Sequence, residues 1–444
     1  MGKYFGTDGI RGVANDTLTL DTAFKVGRFI GDFTVINGGD KIVIGKDTRK
    51  SSSMFENMIA AGIASSGCNV YLLGYCSTPC LAYVTTNEEF YLGVMISASH
   101  NPFYDNGIKI FNHVGTKLNE EVEYVIEDYI DNPREIDYVT KEEIGDIINY
   151  SEGVETYKNW LRKIYPSDLS RFKLLVDCAN GSNSYISEDV LKSLGANVTT
   201  INNKPNGINI NNGCGSTHLE NIKEEIVKGD YDLGLAYDGD ADRLIALNSK
   251  GEELTGDKIL YILSKYLKAK GKLENSTLVI TGYSNAGLTK SLKEIGVKTD
   301  IVENGDKYVL ESMLKNDYSL GGENSGHIII KDDSYFGDGL KTALCLLSAL
   351  IYFDKSVDEL LSDLIIYPAY LKNVTVKDKK TILEDQDIKN KIDEINKLLN
   401  GDGKLLIRPS GTEPLIRVLV EASSQELSEK YVSEIISVIE EKNI

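Results

Sequence analysis

The sequence predicts an α/β protein built from several domains, and three observations support this prediction. Apolar strands alternate with helical segments along most of the chain, an order typical of mixed α/β layers with mostly parallel pairing. The alternation begins anew twice, so three units of similar order follow one another, each about the size of a small domain. A chain of 444 residues is also too long for a single hydrophobic core.

The first unit alternates helices and strands. Residues 21–33 are predicted to form a helix because their apolar side chains recur on one helical face. An apolar strand at 41–44 ends in a polar loop, and the helix that follows stops at Gly67. Two further strands are predicted at 69–73 and 91–96.

The same order is predicted again further along the chain. The second unit has strands at 173–176, 198–201 and 233–236, and the third has strands at 277–280, 297–302 and 327–330. Beyond Pro368 the pattern changes to strand, helix, strand, strand, helix. We therefore predict domains at 1–150, 151–252, 253–368 and 369–444.

The composition argues against several classes of protein. A net charge of −19 disfavours nonspecific binding to nucleic acid or anionic membranes, although a local basic pocket can still hold an anionic substrate. The apolar stretch 343–353 is too short to span a bilayer, and no apolar segment of a signal peptide follows Met1. The six cysteines lack the two close pairs of a zinc site, so we expect reduced, structural thiols in a cytoplasmic protein.

A serine-containing loop follows the apolar strand at 91–96. Ser99 and His100 lie just after the carboxyl end of this strand, where open α/β sheets place their chemistry, and Lys109 follows in the next segment. An ordinary polar turn is the alternative, and the Gly-x-Ser-x-Gly elbow of hydrolases is not the pattern here. The residues of this loop alone do not decide between the two.

An acidic triplet follows the strand at 233–236. Asp238, Asp240 and Asp242 would share one side of an extended chain, where three carboxylates repel one another unless a cation holds them. Oxygen ligands favour a hard divalent ion, and we expect Mg²⁺. The spacing does not fit a calcium EF-hand, because Arg243 stands where that loop needs glycine. A solvated acidic turn is the alternative.

Three other loops are rich in glycine or in phosphate-binding groups. The loop at 5–12 contains three glycines, which let the backbone approach a ligand closely. The loop at 321–327 is polar and comes directly before a strand. The loop at 408–412 offers a guanidinium, two hydroxyls and a glycine backbone, which suit the oxygens of a phosphate. An ordinary turn is the alternative for each loop.

Five segments together resemble the α-D-phosphohexomutase family. They lie at 7–12, 97–109, 238–243, 321–327 and 408–414, in the order of that family, and the resemblance covers essentially the whole chain. It implies a four-domain phosphohexomutase architecture around a central cleft, with three similar mixed α/β domains and a C-terminal α+β domain. It also implies an isomerase, an intramolecular phosphotransferase that moves a phosphoryl group between two positions of a hexose phosphate.

The resemblance also implies roles for individual residues. Ser99 would carry the phosphoryl group and would bind one Mg²⁺ per chain together with Asp238, Asp240 and Asp242. Sugar 1,6-bisphosphate would be the intermediate and activator. The remaining implied site residues are Arg11, Lys109 and His327 at the reacting groups, Arg243 as a substrate-binding cation near the transferred phosphoryl group, Glu323 and Ser325 at the sugar, and Arg408, Ser410, Gly411, Thr412 and Arg417 at the second phosphate.

The implied partners are small sugar phosphates, and a homodimer is compatible with the family. The motifs are most similar to those of members that act on glucosamine phosphates. Asn324 replaces the usual glutamine, and Tyr335 and Phe336 replace small hydroxyl residues, so glucose and mannose phosphates stay as alternatives. A phosphatase, or a sugar-phosphate-binding module without activity, is a further alternative; such a module would be expected to lack Ser99 or one of the aspartates.

Overall fold

The computed structural model describes residues 2–6, 8–134, 136–332, 334–409 and 414–442. The chain divides into two units. Unit 1 comprises Met1–Gly282 and Asp300–Leu360, and unit 2 comprises Tyr283–Thr299 and Leu361–Ile444. The described residues form four sheets, which confirms the predicted mixed α/β class. No helix among the described residues has both the length and the apolar content needed to cross a bilayer.

The first sheet contains seven strands, and four helices belong to the same domain. The strands are β1 (Phe5–Gly6), β2 (Gly9–Val13), β3 (Lys41–Lys46), β4 (Asn69–Tyr75), β5 (Leu92–Ile96), β6 (Asp105–Asn112) and β7 (Ile147–Asn149), and the helices are α1 (Leu20–Ile36), α2 (Ser52–Ala64), α3 (Thr78–Asn87) and α4 (Glu120–Asp131). The strand order is β1-β2-β6-β5-β3-β4-β7. Strand β5 is buried throughout, as expected for a central strand.

The second sheet contains five strands, which lie side by side in the order fifth, fourth, third, first and second, counted along the chain. They are β8 (Lys173–Asp177), β9 (Asn197–Ile201), β10 (Leu233–Tyr237), β11 (Leu244–Asn248) and β12 (Glu253–Leu254), accompanied by the helices α5 (Glu152–Ile164), α6 (Ser187–Ser193) and α7 (Glu220–Lys228). Strands β10 and β11 are fully buried, so the loop that joins them is held between two rigid elements.

The third sheet has four strands and the fourth has three. The third domain contains α8 (Gly256–Ala269), β13 (Thr277–Thr281), α9 (Ala286–Glu294), β14 (Lys298–Val302), α10 (Asp306–Asn316), β15 (Leu320–Gly322), β16 (Ile328–Ile330), α11 (Gly339–Phe353) and α12 (Val357–Leu360). The last contains β17 (Ala369–Thr375), α13 (Lys379–Glu384), α14 (Gln386–Leu399), β18 (Lys404–Pro409), β19 (Leu415–Glu421) and α15 (Gln425–Lys442). Its sheet is entirely antiparallel, in the order β17-β19-β18.

The first three domains share one topology, as the family resemblance implied. In each, four consecutive strands (β3 to β6, β8 to β11, and β13 to β16) lie in the order fourth, third, first, second. The third strand runs parallel to the first and antiparallel to the fourth. The turn between the third and fourth strands therefore leaves the carboxyl edge of the parallel strands in every domain. We call it the third-strand turn.

The hydrophobic cores follow this division. One cluster lies between the first sheet and its helices, and smaller clusters lie in the second and third domains. A separate cluster fills the last domain, where α14 and α15 contribute apolar side chains. All six cysteines are buried, and no two of them are joined by a disulfide.

Candidate active site

The third-strand turns of the first three domains carry the residues that the sequence singled out. The turn of the first domain spans 97–104 and contains Ser99. The turn of the second spans 238–243 and contains the acidic triplet, and that of the third spans 323–327 and contains Glu323, Ser325 and His327. Three copies of one topology thus present three different sets of polar groups.

Ser99 contacts the acidic triplet directly. Its Oγ donates a hydrogen bond to Asp238 Oδ2 at 2.7 Å and lies 3.3 Å from His100 Nδ1. The side chain is buried, and the backbone has a left-handed φ of 51°, which costs a residue other than glycine about 1–2 kcal/mol. Ser97 instead contacts the Ser99 backbone: its Oγ accepts a hydrogen bond from the Ser99 amide at 2.9 Å.

The three aspartates converge, but not as an extended chain. Residues 238–243 form a turn in which Ala241 has a φ of 63°, so the prediction that alternate residues share one side of a strand was wrong. One carboxylate oxygen from each of Asp238, Asp240 and Asp242 nevertheless lies within 4.8 Å of the others, and all three residues are buried. The turn, rather than strand alternation, brings the carboxylates together.

The acidic triplet fits a hard divalent cation. Asp240 Oδ1 and Asp242 Oδ1 are buried and have no hydrogen-bond partner within the described part of the chain. Burial raises the pKa of Asp238 well above its usual value, and the neighbouring carboxylates Asp242 and Asp240 raise it further. Buried, mutually repelling carboxylates with free oxygens are the donor set that such an ion prefers.

Lys109 neutralises one side of the acidic triplet. Its Nζ lies 2.8 Å from Asp240 Oδ2, which also accepts a hydrogen bond from Thr78 Oγ1 at 2.5 Å. The same ammonium group lies 2.9 Å from Asp8 Oδ2. Asp8 in turn forms an ion pair with Arg11 of β2. The glycine-containing segment 5–12, predicted to be a loop, consists largely of the paired strands β1 and β2, and this ion pair connects it to the acidic triplet.

The alternation of charge continues into the third domain. Asp8 Oδ1 lies 2.9 Å from Lys117 Nζ, which lies 2.7 Å from Asp306 Oδ2. Asp306 is 4.0 Å from His327 Nε2, and His327 Nδ1 is 3.6 Å from Asp242 Oδ2. Together with Asp240 and Lys109, these groups form a chain of alternating charge that leaves the acidic triplet at one aspartate and returns to it at another.

The neighbouring carboxylates raise the pKa values of Lys109 and His327 and so favour their protonated forms. Burial lowers the pKa of Lys109, but Asp240 and Asp8 outweigh it and the net shift is upward. Burial also lowers the pKa of His327, yet the nearby carboxylate of Asp242, together with Asp306 and Glu323, raises that pKa to about 9. Asp242 is affected in the opposite sense, because His327 lowers its pKa despite burial. His327 is therefore cationic at neutral pH.

Two arginines of the predicted site also lie in unit 1. Arg11 is half-buried and paired with Asp8. Arg243 places its Nε 3.8 Å from Asp242 Oδ1, and its backbone amide donates to Asp238 Oδ1 at 3.2 Å. Although burial lowers the pKa of Arg243, the acidic triplet raises it overall. Arg243 therefore adds positive charge beside the acidic triplet, and Arg11 adds it beside Asp8.

The third-strand turn of the third domain brings His327 next to the acidic triplet and leaves the rest of the turn more open. Glu323 is half-buried, and its Oε1 accepts a hydrogen bond from the Gly305 amide at 3.2 Å, while Ser325 is exposed. Gly337 packs against the imidazole so closely that a Cβ at this position would lie 2.2 Å from the His327 ring. The absence of a side chain there allows the ring to occupy its position.

A cavity of about 670 Å³ adjoins these residues. Lys109 and His327 form part of its wall, and much of the remaining wall is apolar. Tyr335 and Phe336, which depart from the pattern of the family, line it as well, and the Phe336 ring packs edge-on against Phe111 at 5.8 Å. Of the departures noted in the sequence, the pair Tyr335 and Phe336 therefore lies at this cavity.

The predicted phosphate loop belongs to unit 2. Arg408 and Arg417 are paired residues of β18 and β19, so their side chains project from the same face of the sheet. The Arg408 guanidinium donates to the Tyr283 hydroxyl at 3.2 Å. The three remaining predicted residues of this loop, Ser410, Gly411 and Thr412, lie outside the described residues.

Sequence reasoning missed three members of the chain of alternating charge. Asp8 stands three positions before Arg11 in the glycine-containing segment 5–12, so its closeness to a predicted site residue could have indicated it. Lys117 and Asp306 are 189 positions apart and carry no local motif. Only the packing of the first domain against the third reveals that they are paired.

Comparison with known proteins identifies all four domains. The alpha/beta/alpha domains I, II and III of phosphoglucomutase/phosphomannomutase match residues 2–137, 149–251 and 255–367, and the C-terminal domain matches 371–438. The phosphoglucosamine mutase of Lachnospira eligens is 46% identical over 446 residues, covering 100% of this chain and 99% of the relative. That of Bacillus subtilis is 45% identical over 441 residues, covering 99% and 98%.

Solved structures agree on the fold. A phosphoglucomutase/phosphomannomutase family protein from Burkholderia thailandensis matches with a TM-score of 0.81 at 22% identity, covering 99% of this chain and 98% of that one. An Aspergillus fumigatus N-acetylphosphoglucosamine mutase in complex with GlcNAc-6P and magnesium matches with a TM-score of 0.70 at 17% identity, covering 99% and 96%. Four matching domains in order, and relatives of nearly half identity over the full length, mean that this chain belongs to the phosphoglucomutase/phosphomannomutase family, the α-D-phosphohexomutases.

Proposed function

We propose that this protein is a phosphoglucosamine mutase, an isomerase that interconverts glucosamine 6-phosphate and glucosamine 1-phosphate. The observation that carries the proposal is the contact between Ser99 Oγ and Asp238, 2.7 Å long, which joins the predicted nucleophile to three converging carboxylates. The full-length similarity to phosphoglucosamine mutases supports the choice of substrate. Glucose and mannose phosphates are the alternatives.

In the proposed reaction Ser99 carries a phosphoryl group and gives it to the free hydroxyl of a sugar monophosphate. The bond from phosphorus to Ser99 Oγ breaks, a bond to the sugar oxygen forms, and the hydroxyl proton leaves for a protein base or water. The product is a sugar 1,6-bisphosphate, which reorients and returns its other phosphoryl group to Ser99. No phosphate or water is consumed overall, and added bisphosphate can phosphorylate a bare Ser99, so it acts as an activator.

Asp238, Asp240 and Asp242, together with an oxygen on Ser99, would hold one Mg²⁺. When bound, this ion supplies neutralisation of the negative charge on the phosphoryl group. The two free carboxylate oxygens and the raised pKa of Asp238 support this assignment.

The cationic side chains around the acidic triplet are proposed to assist the transfer. Lys109, Arg11 and Arg243 add positive charge where phosphoryl oxygens must lie. His327, with a pKa of about 9, can give a proton to the sugar oxygen that loses its phosphoryl group, and it can take that proton back in the opposite direction. Lys109 is held by two carboxylates and acts chiefly as a fixed charge.

The sugar and its second phosphate are proposed to be held by two separate loops. Glu323 can pair with the ammonium group at C2 of glucosamine, and Ser325 can hydrogen-bond to a neighbouring hydroxyl. Arg408 and Arg417 project from one face of their sheet and would bind the phosphate that is not being transferred, with Ser410, Gly411 and Thr412. A homodimer and a cytoplasmic location are the remaining proposals from the sequence.

Replacing the nucleophile separates chemistry from binding. Ser99→Ala should lower kcat at least about 10³-fold, since no other group in the proposal can accept the phosphoryl group. Its affinity for glucosamine 6-phosphate, measured by calorimetry, should stay within about threefold because binding depends largely on other loops. Ser97→Ala is the comparison variant: it removes the acceptor of the Ser99 amide but keeps the nucleophile, so it should lose much less activity than Ser99→Ala and still carry the phosphate. Mass spectrometry of the peptides should find the phosphate on Ser99. A phosphate found only on Ser97, or a Ser99→Ala enzyme with the wild-type rate, would show that the assignment is wrong.

Removing the metal should stop activity without unfolding the protein. A chelator in excess should abolish turnover and shift Tm by no more than about 2 °C, because the ligands lie in one turn of a large chain. Asp242→Asn should raise the Mg²⁺ concentration for half-maximal activity about tenfold or more, since it removes a charged ligand. Asp230→Asn, at an exposed position of the same domain, is the control. Full activity in chelator, or an unchanged Mg²⁺ requirement in Asp242→Asn, would contradict the metal assignment.

The sugar preference should follow the charge at C2. We expect kcat/KM to be highest for glucosamine 6-phosphate, lower for glucose 6-phosphate and lowest for mannose 6-phosphate, whose C2 substituent points the other way. Glu323→Gln should reduce the preference for glucosamine over glucose about 3–10-fold, because a charge-assisted hydrogen bond becomes a neutral one. Glu303→Gln, nearby but exposed, should leave the preference unchanged. A clear advantage of glucose or mannose phosphate would keep the reaction class and change the substrate.

A further inference from the structure

A loop of the second domain reaches the Ser99 turn of the first. This loop, 202–217, connects β9 to the segment before α7, and it contains Asn211. The Asn211 side-chain amide Nδ2 donates hydrogen bonds to the backbone carbonyls of Ser99 at 2.8 Å and of Asn101 at 3.1 Å. The residue is buried, so these bonds are shielded from water. The second domain thus holds the backbone of the predicted nucleophile.

The same two carbonyls receive a second donor from the first domain. One terminal nitrogen of the Arg49 guanidinium donates to Ser99 O at 2.8 Å and to Asn101 O at 2.9 Å. Arg49 is itself fixed by Asp47, whose Oδ2 accepts from Arg49 Nε at 2.9 Å. A carbonyl oxygen has two lone pairs, so both acceptors are fully used. Ser99 has a left-handed φ of 51°, and these donors hold it in that conformation.

Asn211 is well suited to this position. Its φ is 57°, a left-handed value that asparagine tolerates better than most residues. Its backbone N–H donates to Ala179 O at 2.9 Å. Asp177 fastens the surrounding loops, because its carboxylate accepts from the amides of Ala179 at 2.8 Å and Gly215 at 3.0 Å. The donor aimed at Ser99 is therefore anchored by the body of the second domain.

The turn that carries the acidic triplet packs against the same Ser99 carbonyl and Asn211 side chain. Gly239, between Asp238 and Asp240, approaches so closely that a Cβ there would lie 2.6 Å from Ser99 O and 2.9 Å from Asn211 Nδ2. The position of the Ser99 carbonyl relative to the triplet is thus fixed by direct packing and by Asn211 together. A shift of the Ser99 backbone would move Oγ away from the carboxylates.

We propose that Asn211 is a positioning residue for phosphoryl transfer, which keeps Ser99 Oγ at the acidic triplet by fixing the Ser99 carbonyl. It acts through Ser99 and does not touch the sugar. This inference rests on the proposed mutase function and adds a residue to its machinery. A misplacement of about 1 Å at a reacting group can cost about 10²-fold in rate. Loss of the Asn211 donor should therefore lower kcat and leave substrate binding intact.

The test compares two neighbouring asparagines. Asn211→Asp keeps the shape of the side chain but removes its donor, and Asn211→Ala removes the side chain without adding charge. At saturating Mg²⁺ both should lower kcat about 10–100-fold while KM for glucosamine 6-phosphate stays within about twofold. Asn212→Asp makes the same charge change at the exposed neighbouring position and should behave as the wild type. Single-turnover transfer from phosphorylated Ser99 should slow in the Asn211 variants by the same factor as kcat.

The outcomes are distinguishable. If the wild type interconverts the sugar phosphates and both Asn211 variants keep its kcat within twofold, the positioning role is wrong. A fall in kcat that comes with a Tm lowered by more than about 5 °C in both variants would make Asn211 a general structural residue and would also overturn the inference. A wild type without mutase turnover would contradict the proposed function itself, whatever the variants do.

Discussion

Three buried carboxylates within 4.8 Å of one another must be balanced by positive charge, and much of unit 1 is arranged around that requirement. Lys109, Arg243 and His327 supply part of it, each raised in pKa by the aspartates it faces. The remaining free carboxylate oxygens fit a divalent ion. The hydrogen bond from Ser99 to Asp238 places the predicted nucleophile inside this balanced cluster.

The repeated topology explains why these groups meet. Each of the first three domains places its third-strand turn at the carboxyl edge of the parallel strands. The first turn carries the serine, the second the acidic triplet, and the third the histidine and the proposed sugar-binding groups. One architecture is thus used three times, with different side chains at the same structural position. Contacts between the domains, such as Asn211 with the Ser99 carbonyl and Lys117 with Asp306, then fix the turns against one another.

The sequence predicted the parts of the site that carry local patterns. Ser99 and the acidic triplet follow apolar strands, so the pattern placed them at strand ends, and the family resemblance supplied their roles. Other residues of the site could not be predicted in this way. Lys117 and Asp306 pair across 189 positions, and Asn211 contacts Ser99 across 112 positions, so both contacts depend on how the domains pack. The extended conformation assumed for the triplet was wrong, since Ala241 turns the chain there. The domain boundaries and the roles of the site residues stay predictions.

The account claims that a phosphoryl group on Ser99 passes to a sugar and not to water. The direct measurement is the fate of a ³²P label placed on Ser99, followed in a single turnover with glucosamine 6-phosphate and Mg²⁺. The label should leave the protein and appear in the sugar bisphosphate, and then in glucosamine 1-phosphate, because the phosphoryl group that returns to Ser99 is the unlabelled one from C6. Release of the label as inorganic phosphate would indicate a phosphatase, and a label that stays on the protein would indicate a binding module; either result would contradict the account.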